Sequence, residues 1–125
     1  MATAYKNLQM LVESIIVSSK GWVEAVAVVT QDGSPLTYNA EVEFKPDFIA
    51  AITATICGAC DAATDILNLN PGGYESIDIQ LGDKRHIIIN RYGDYYVVCL
   101  TRPNPNLGFI NLVLRAFLSK SLEGV

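Results

Sequence analysis

The chain has 125 residues, half of them hydrophobic and 18% charged, with a net charge of −4. That length supports one core and one domain over residues 1–125, and that composition is too apolar for a disordered segment. The acidic balance argues against a nucleic-acid binder and against an electrostatic grip on anionic membranes.

In chain order the first expected element is a helix. Leu8, Leu11, Val12, Ile15 and Ile16 fall on one face at helical spacing. Thr3 is the expected N-cap, and Lys20-Gly21 the expected end. A strand follows from Trp22 to Thr30. Its centre, Val26 to Val29, is apolar at consecutive positions, and strand neighbours point to opposite faces, so both faces are expected to be covered. Asp32-Gly33 makes a turn into a more polar strand, Leu36 to Glu43, which suits a sheet edge.

Pro46 opens a second helix, with Asp47 near its positive end. Ile49, Ile52, Ile56, Ala59, Ala63 and Ile66 form its expected core stripe. Ala51, Thr55, Gly58 and Ala62 form a neighbouring stripe of small residues, where another element can approach the backbone closely. Asn70-Pro71-Gly72-Gly73 breaks the chain.

Three more strands are expected. Tyr74 to Leu81 alternates, with Ile77, Ile79 and Leu81 on one side and Ser76, Asp78 and Gln80 on the other. Arg85 to Asn90 holds three consecutive isoleucines, and Tyr95 to Leu100 is apolar almost throughout. A last helix runs from about Leu107 to Leu122, with Ile110, Val113, Leu114, Phe117 and Leu118 inward. Lys120 near its end suits the helix dipole, and Gly124 stops it.

The first, fourth and fifth strands read as buried on both faces; the second and third do not. Short turns join first to second, third to fourth and fourth to fifth. Placing the first strand beside the fifth puts every two-sided strand inside. The expected fold is therefore α/β of the α+β kind, a five-stranded antiparallel sheet in the order 2-1-5-4-3. The second helix covers one face, and the first and last helices cover the other. The third strand is then an edge without Pro or Lys, which invites pairing with another chain. A second copy pairing edge to edge is the simplest closed solution, with the small-residue stripe packing on its mate.

Elements in this order resemble the Roadblock/dynein light-chain family. The segment NLGFINLVLRAFLSKSL, Asn106 to Leu122, is similar to that family's closing helix. VEAVAVVTQDGSPL, Val23 to Leu36, is similar to its opening hairpin. The resemblance spans nearly the whole chain and looks more like free-standing prokaryotic or archaeal members. It implies a homodimer, or a heterodimer with a related Roadblock chain, whose sheet continues across the seam. Tyr74, Ser76, Ile77, Asp78 and Ile79 would lie at that seam. It also implies a scaffold or regulator that binds a small Ras-like GTPase, or an adaptor in motor and signalling complexes; the expectation of no enzymatic activity and no cofactor rests on the residues themselves. Asn111 departs from the family, where many relatives carry a basic residue. A profilin-like or longin-like module, binding cytoskeletal or membrane-traffic partners, is the alternative; a sixth or seventh strand would favour profilin.

Other chemistries have weaker anchors. Cys57-Gly58-Ala59-Cys60 reads like a redox CxxC, but that motif needs its first Cys at a helix start, and this pair sits mid-helix. Cys57, Cys60, Cys99 and His86 would supply a Cys₃His zinc set only if two strands and the helix met at one point. His86 is the only histidine, and no Ser-His-Asp arrangement assembles around it. Asp32, Asp83 and Asp94 sit beside turn glycines, and no phosphate-cradling glycine motif is present. Tyr92, Tyr95 and Tyr96 cluster near one turn and suit either hairpin packing or an interface. Three cysteines without a disulfide pattern suggest a reducing, cytoplasmic setting. No secretory signal is expected, and no apolar run approaches the roughly 18 residues that span a bilayer, so no membrane insertion is expected.

Overall fold

From Val23 to Val29 every residue but Glu24 is buried. Successive strand residues face opposite ways, so this strand can exist only inside a sheet with layers on both sides. A computed structural model shows that arrangement; it describes residues 2–69 and 73–123, with side chains for 7–69 and 73–119. The elements are α1 (Ala2–Ser18), β1 (Val23–Thr30), β2 (Pro35–Ala40), α2 (Pro46–Ile66), β3 (Ser76–Gln80), β4 (His86–Tyr92), β5 (Tyr95–Thr101) and α3 (Leu107–Glu123). The sheet order is β2-β1-β5-β4-β3, with every neighbouring pair antiparallel, as the burial argument requires. The described residues contain these five strands and no sixth.

Two cores result. Val26, Val28, Ile88, Val97 and Cys99 face Leu11, Val12 and Ile15 of α1 and Ile110 and Leu114 of α3. Ala27, Val29, Ile89, Tyr96 and Val98 face Ala50 and Cys57 of α2. The helices are thus divided as expected, α2 on one face and α1 with α3 on the other.

Several local expectations are corrected. α1 begins at Ala2, so Thr3 lies inside its first turn rather than capping it. At its other end the buried Ser19 hydroxyl donates to the Ile16 carbonyl and accepts from the Val23 N–H, which fixes the turn into β1. β1 starts at Val23, and β2 is shorter than expected, because pairing with β1 stops at Ala40. α2 ends at Ile66, and Asn68 then takes a left-handed conformation (φ 57°). The expected break at Asn70-Pro71-Gly72 lies outside the described residues, as do the Lys120 side chain and Gly124. Tyr92 and Tyr96 are buried and Tyr95 packs against the α1/α3 core, so the tyrosine cluster is hairpin packing.

The largest correction concerns α2. Ala50, Thr53 and Cys57 form its buried line, flanked by Ile49, Ile56 and Cys60, whereas Ile52, Ala59, Ala63 and Ile66 are exposed. The helix sits close to the β1–β2 turn. A Cβ placed on Gly33, which holds φ +92°, would lie 3.5 Å from the Ala54 Cβ. Such close approach favours small residues inward and leaves the larger isoleucines to the flanks and the outside.

Candidate interaction surface

β3 is a free edge, paired only with β4 in the register Ser76↔Asn90, Ile77↔Ile89, Asp78↔Ile88 and Ile79↔Ile87. Ser76 and Asp78 are exposed, while Ile77 and Ile79 are half-buried, and Ile77 packs against the α2-side core. The alternation read from the sequence is therefore the one the sheet displays.

α2 crosses the sheet. Its first turns lie beside the Gly33 turn, and its second half reaches β4 and the start of β3. The Tyr74 hydroxyl donates to the Cys57 carbonyl at 3.2 Å. The Arg91 guanidinium lies over the Tyr74 ring, 4.7 Å from its centroid, and donates to Asp61 Oδ1 at 2.9 Å. Burial pushes the Tyr74 phenol above its ordinary range, so it stays a neutral donor. This clamp joins residues up to 30 positions apart, and no local pattern announces it. On the other side of the sheet His86 Nδ1 meets Asp78 Oδ1 at 2.6 Å.

The small-residue stripe faces away from the sheet: Ala51, Thr55, Gly58 and Ala62 are all exposed. Thr55 turns its hydroxyl back to the Ala51 carbonyl at 3.0 Å, which leaves its methyl outermost. A Cβ on Gly58 would meet nothing within 4 Å. Alongside run Phe48, Ile52, Ala59, Ala63 and Ile66, with Phe48 65% and Ile66 80% exposed. At 3.6 residues per turn the exposed Asp47 and Asp65 fall about 20° from Gly58 and edge the small-residue stripe, while the arc from Ala51 through Thr55, Phe48 and Ile66 to Ile52 carries no charge. Over 21 residues, with a mean hydropathy of 1.4 in its 18-residue window, α2 is long and apolar enough to cross a membrane by length and composition. This departs from the expectation that no run comes near that length. Its inner line belongs to the core, so the feature to be explained is an apolar outer face.

The residues singled out for chemistry do not converge. Cys57 lies on the α2 side of the sheet, and Cys99 in the core under α1 and α3. His86 shares the Cys99 side, two residues from Ile88 on the same strand. The sheet thus divides the four candidate zinc ligands. Among the described residues no three His, Cys, Asp or Glu side chains are grouped to hold a metal ion. Burial raises the Cys57 thiol and pushes that of Cys99 from 9.0 up to about 12, the reverse of an activated CxxC.

Two outcomes follow from these thiols. In the native protein at pH 8, Cys57 and Cys99 are expected to react with a disulfide-exchange reagent far more slowly than after unfolding, by thiol titration. The raised Cys99 value also favours folding below pH 9.0. That contribution is expected to fade as pH rises from there toward about 12, because the unfolded thiol ionises first. Melting curves of Cys99→Ala should lack that part of the alkaline loss.

No protein-family model matches the sequence, and no curated protein matches it. Solved structures do. The chain is similar to MglB of Myxococcus xanthus, with a TM-score of 0.84 at 12% identity, covering 95% of this chain and 87% of that one. It is similar to a Roadblock domain from Streptomyces avermitilis, with a TM-score of 0.75 at 14% identity and coverage of 93% and 94%. Profilin IB of Acanthamoeba castellanii follows at a TM-score of 0.66 and 18% identity, covering 93% of this chain and 97% of that one. At such identities the likeness is one of fold, and by element order, sheet order and helix placement the fold of this chain is of the Roadblock type.

Proposed function

We propose that this chain is a non-enzymatic dimeric scaffold or regulator that binds a small Ras-like GTPase. The observation that carries the dimer is the apolar outer face of α2, edged by Asp47 and Asp65, which lies beside the unpaired β3 edge. Pairing β3 with the β3 of a second copy satisfies an open ladder. The same two-fold brings α2 toward its mate, where Gly58 and Ala62 permit close contact. Tyr74, Ser76, Ile77, Asp78 and Ile79 form the seam, with Ala51, Thr55, Gly58 and Ala62 above it. The GTPase rests on the family that the sequence and the fold resemble. Phe48, Ile52 and Ile66 extend the apolar face beyond the small stripe and give such a partner a surface.

Sedimentation of the purified chain at tens of micromolar tests the first half, with a two-fold mass expected. A strict monomer would remove the seam. The second half is tested by titration with a small Ras-like GTPase from the same genome, loaded with a GTP analogue or with GDP. Binding that depends on the nucleotide is expected, and equal absence of binding to every such GTPase would end the reading.

A further inference from the structure

The sheet has a second open edge. β2 pairs only with β1 and ends the order opposite β3. Pro35 and the register shift beside it protect the first end of the strand, but Leu36 to Ala40 hold neither Pro nor Lys and leave the rest of the free side open. A groove of about 450 Å³ runs along it, lined by Gln9, Leu36, Thr37, Tyr38, Asn39 and Pro46, among others.

The two walls of this groove differ. Thr37 faces α1, where its hydroxyl donates to Gln9 Oε1; Gln9 Nε2 in turn donates to Glu13 Oε1 at 3.0 Å. This wall is a fixed polar rail that ends in an exposed carboxylate. On the α2 side Tyr38 is 46% exposed, and its ring stacks on Phe44 with centroids 5.6 Å apart. The segment 41–47, which runs from the end of β2 into the first turn of α2, carries three acids, Glu41, Glu43 and Asp47, all exposed, against one cation. That cation, Lys45, is directed over the Phe48 ring at 5.8 Å.

We propose that β2 is a docking edge that takes an extended, cationic segment of a partner protein as an added strand. Backbone pairing supplies the grip. Side chains of the added strand alternate between the walls, so one set meets the Gln9–Glu13 rail and the other lies on the Tyr38–Phe44 shelf. The segment that fits alternates Lys or Arg with apolar residues. Its positive charge answers Glu13, Glu41, Glu43 and Asp47. The site does not rest on the dimer reading, because β2 is the edge that β3 pairing leaves open.

The test maps backbone amide shifts of the full chain, titrated at low salt with ten-residue peptides. One peptide alternates Lys and Val, one alternates Glu and Val, and one places five Lys before five Val. The alternating Lys-Val peptide is expected to shift amides 36–40 and slow their hydrogen exchange. The Glu-Val peptide should leave them unmoved, and the block peptide should bind about tenfold more weakly or worse. Glu13→Lys with Tyr38→Ser should weaken the Lys-Val peptide by about tenfold while the thermal melt stays that of the parent. Four results would overturn the proposal: no shift at 36–40 at millimolar peptide, equal binding of block and alternating peptides, shifts confined to β3, or unchanged affinity in the double variant. Protection of amides 36–40 that grows with protein concentration without peptide would also overturn it, by making a second copy the occupant.

Discussion

Gly58→Arg is expected to sediment as a monomer that is folded at least as stably as the parent protomer. In the protomer a Cβ at position 58 meets nothing within 4 Å, so a side chain has open space. Replacing an interior helix glycine also gains roughly 0.5–1 kcal/mol, because glycine gives up more backbone freedom on folding. In the proposed dimer the same position faces the mate's small residues. A long guanidinium side chain there occupies the space of the mate's helix, and Asp61, three residues on, is already paired with Arg91, so the cost is about 3 kcal/mol, which weakens association roughly 100-fold. Sedimentation and circular dichroism together read both effects. A Gly58→Arg protein that remains dimeric would place the seam away from α2. Ile79→Lys then tests β3 separately; its side chain is half-buried in the protomer, so a stability measurement must accompany it.

Ile15→Ala is expected to lower protomer stability by about 3 kcal/mol, and the melting temperature by roughly 10 °C or more. Ile15 is fully buried between α1 and the sheet, and truncation leaves a cavity that a close-packed layer cannot refill. Ile52→Ala is the informative contrast. Periodicity places Ile52 on the core stripe of α2, but the structure leaves it 49% exposed. In a monomeric Gly58→Arg background its truncation should cost less than about 1 kcal/mol. A loss as large as that of Ile15→Ala would mean that α2 is turned by about a third of a revolution from its position here. In the parent, if it is the proposed dimer, Ile52→Ala should instead weaken association through the outer face.

These contrasts show where sequence pattern carries information. β1, β4 and β5 are apolar at consecutive positions and β3 alternates. That difference distinguishes interior strands from an edge, because a strand covered on both faces cannot alternate. With hairpin turns forcing three of the four neighbours, it leaves one sheet order. The helix faces of α1 and α3 were legible for a similar reason: Leu8, Leu11, Val12, Ile15 and Ile16 stand out against polar residues on the other side of their helix.

α2 offers no such contrast. Its outer arc, from Ala51 through Thr55 and Ala59 to Ile66, is as apolar as its inner line, so a pattern that records only polarity cannot say which side meets the sheet. The candidate seam was legible as residue types, small on α2 and alternating on β3, but not as one surface. What unites them is the tie from Tyr74 to Cys57 and from Arg91 to Asp61, between positions far apart in the chain. The same holds for the β2 groove, whose rail joins Thr37 to a residue of α1.

Strand order and the division of helices between the sheet's faces thus follow from the chain's own alternation of apolar and polar residues, since burial on one face or two leaves different periods. The inward side of α2, the clamp at the start of β3 and the walls of the β2 edge were decided only in three dimensions. There, close approach at Gly33 selects Ala50, Thr53 and Cys57 for the interior and leaves a largely apolar helix face outside.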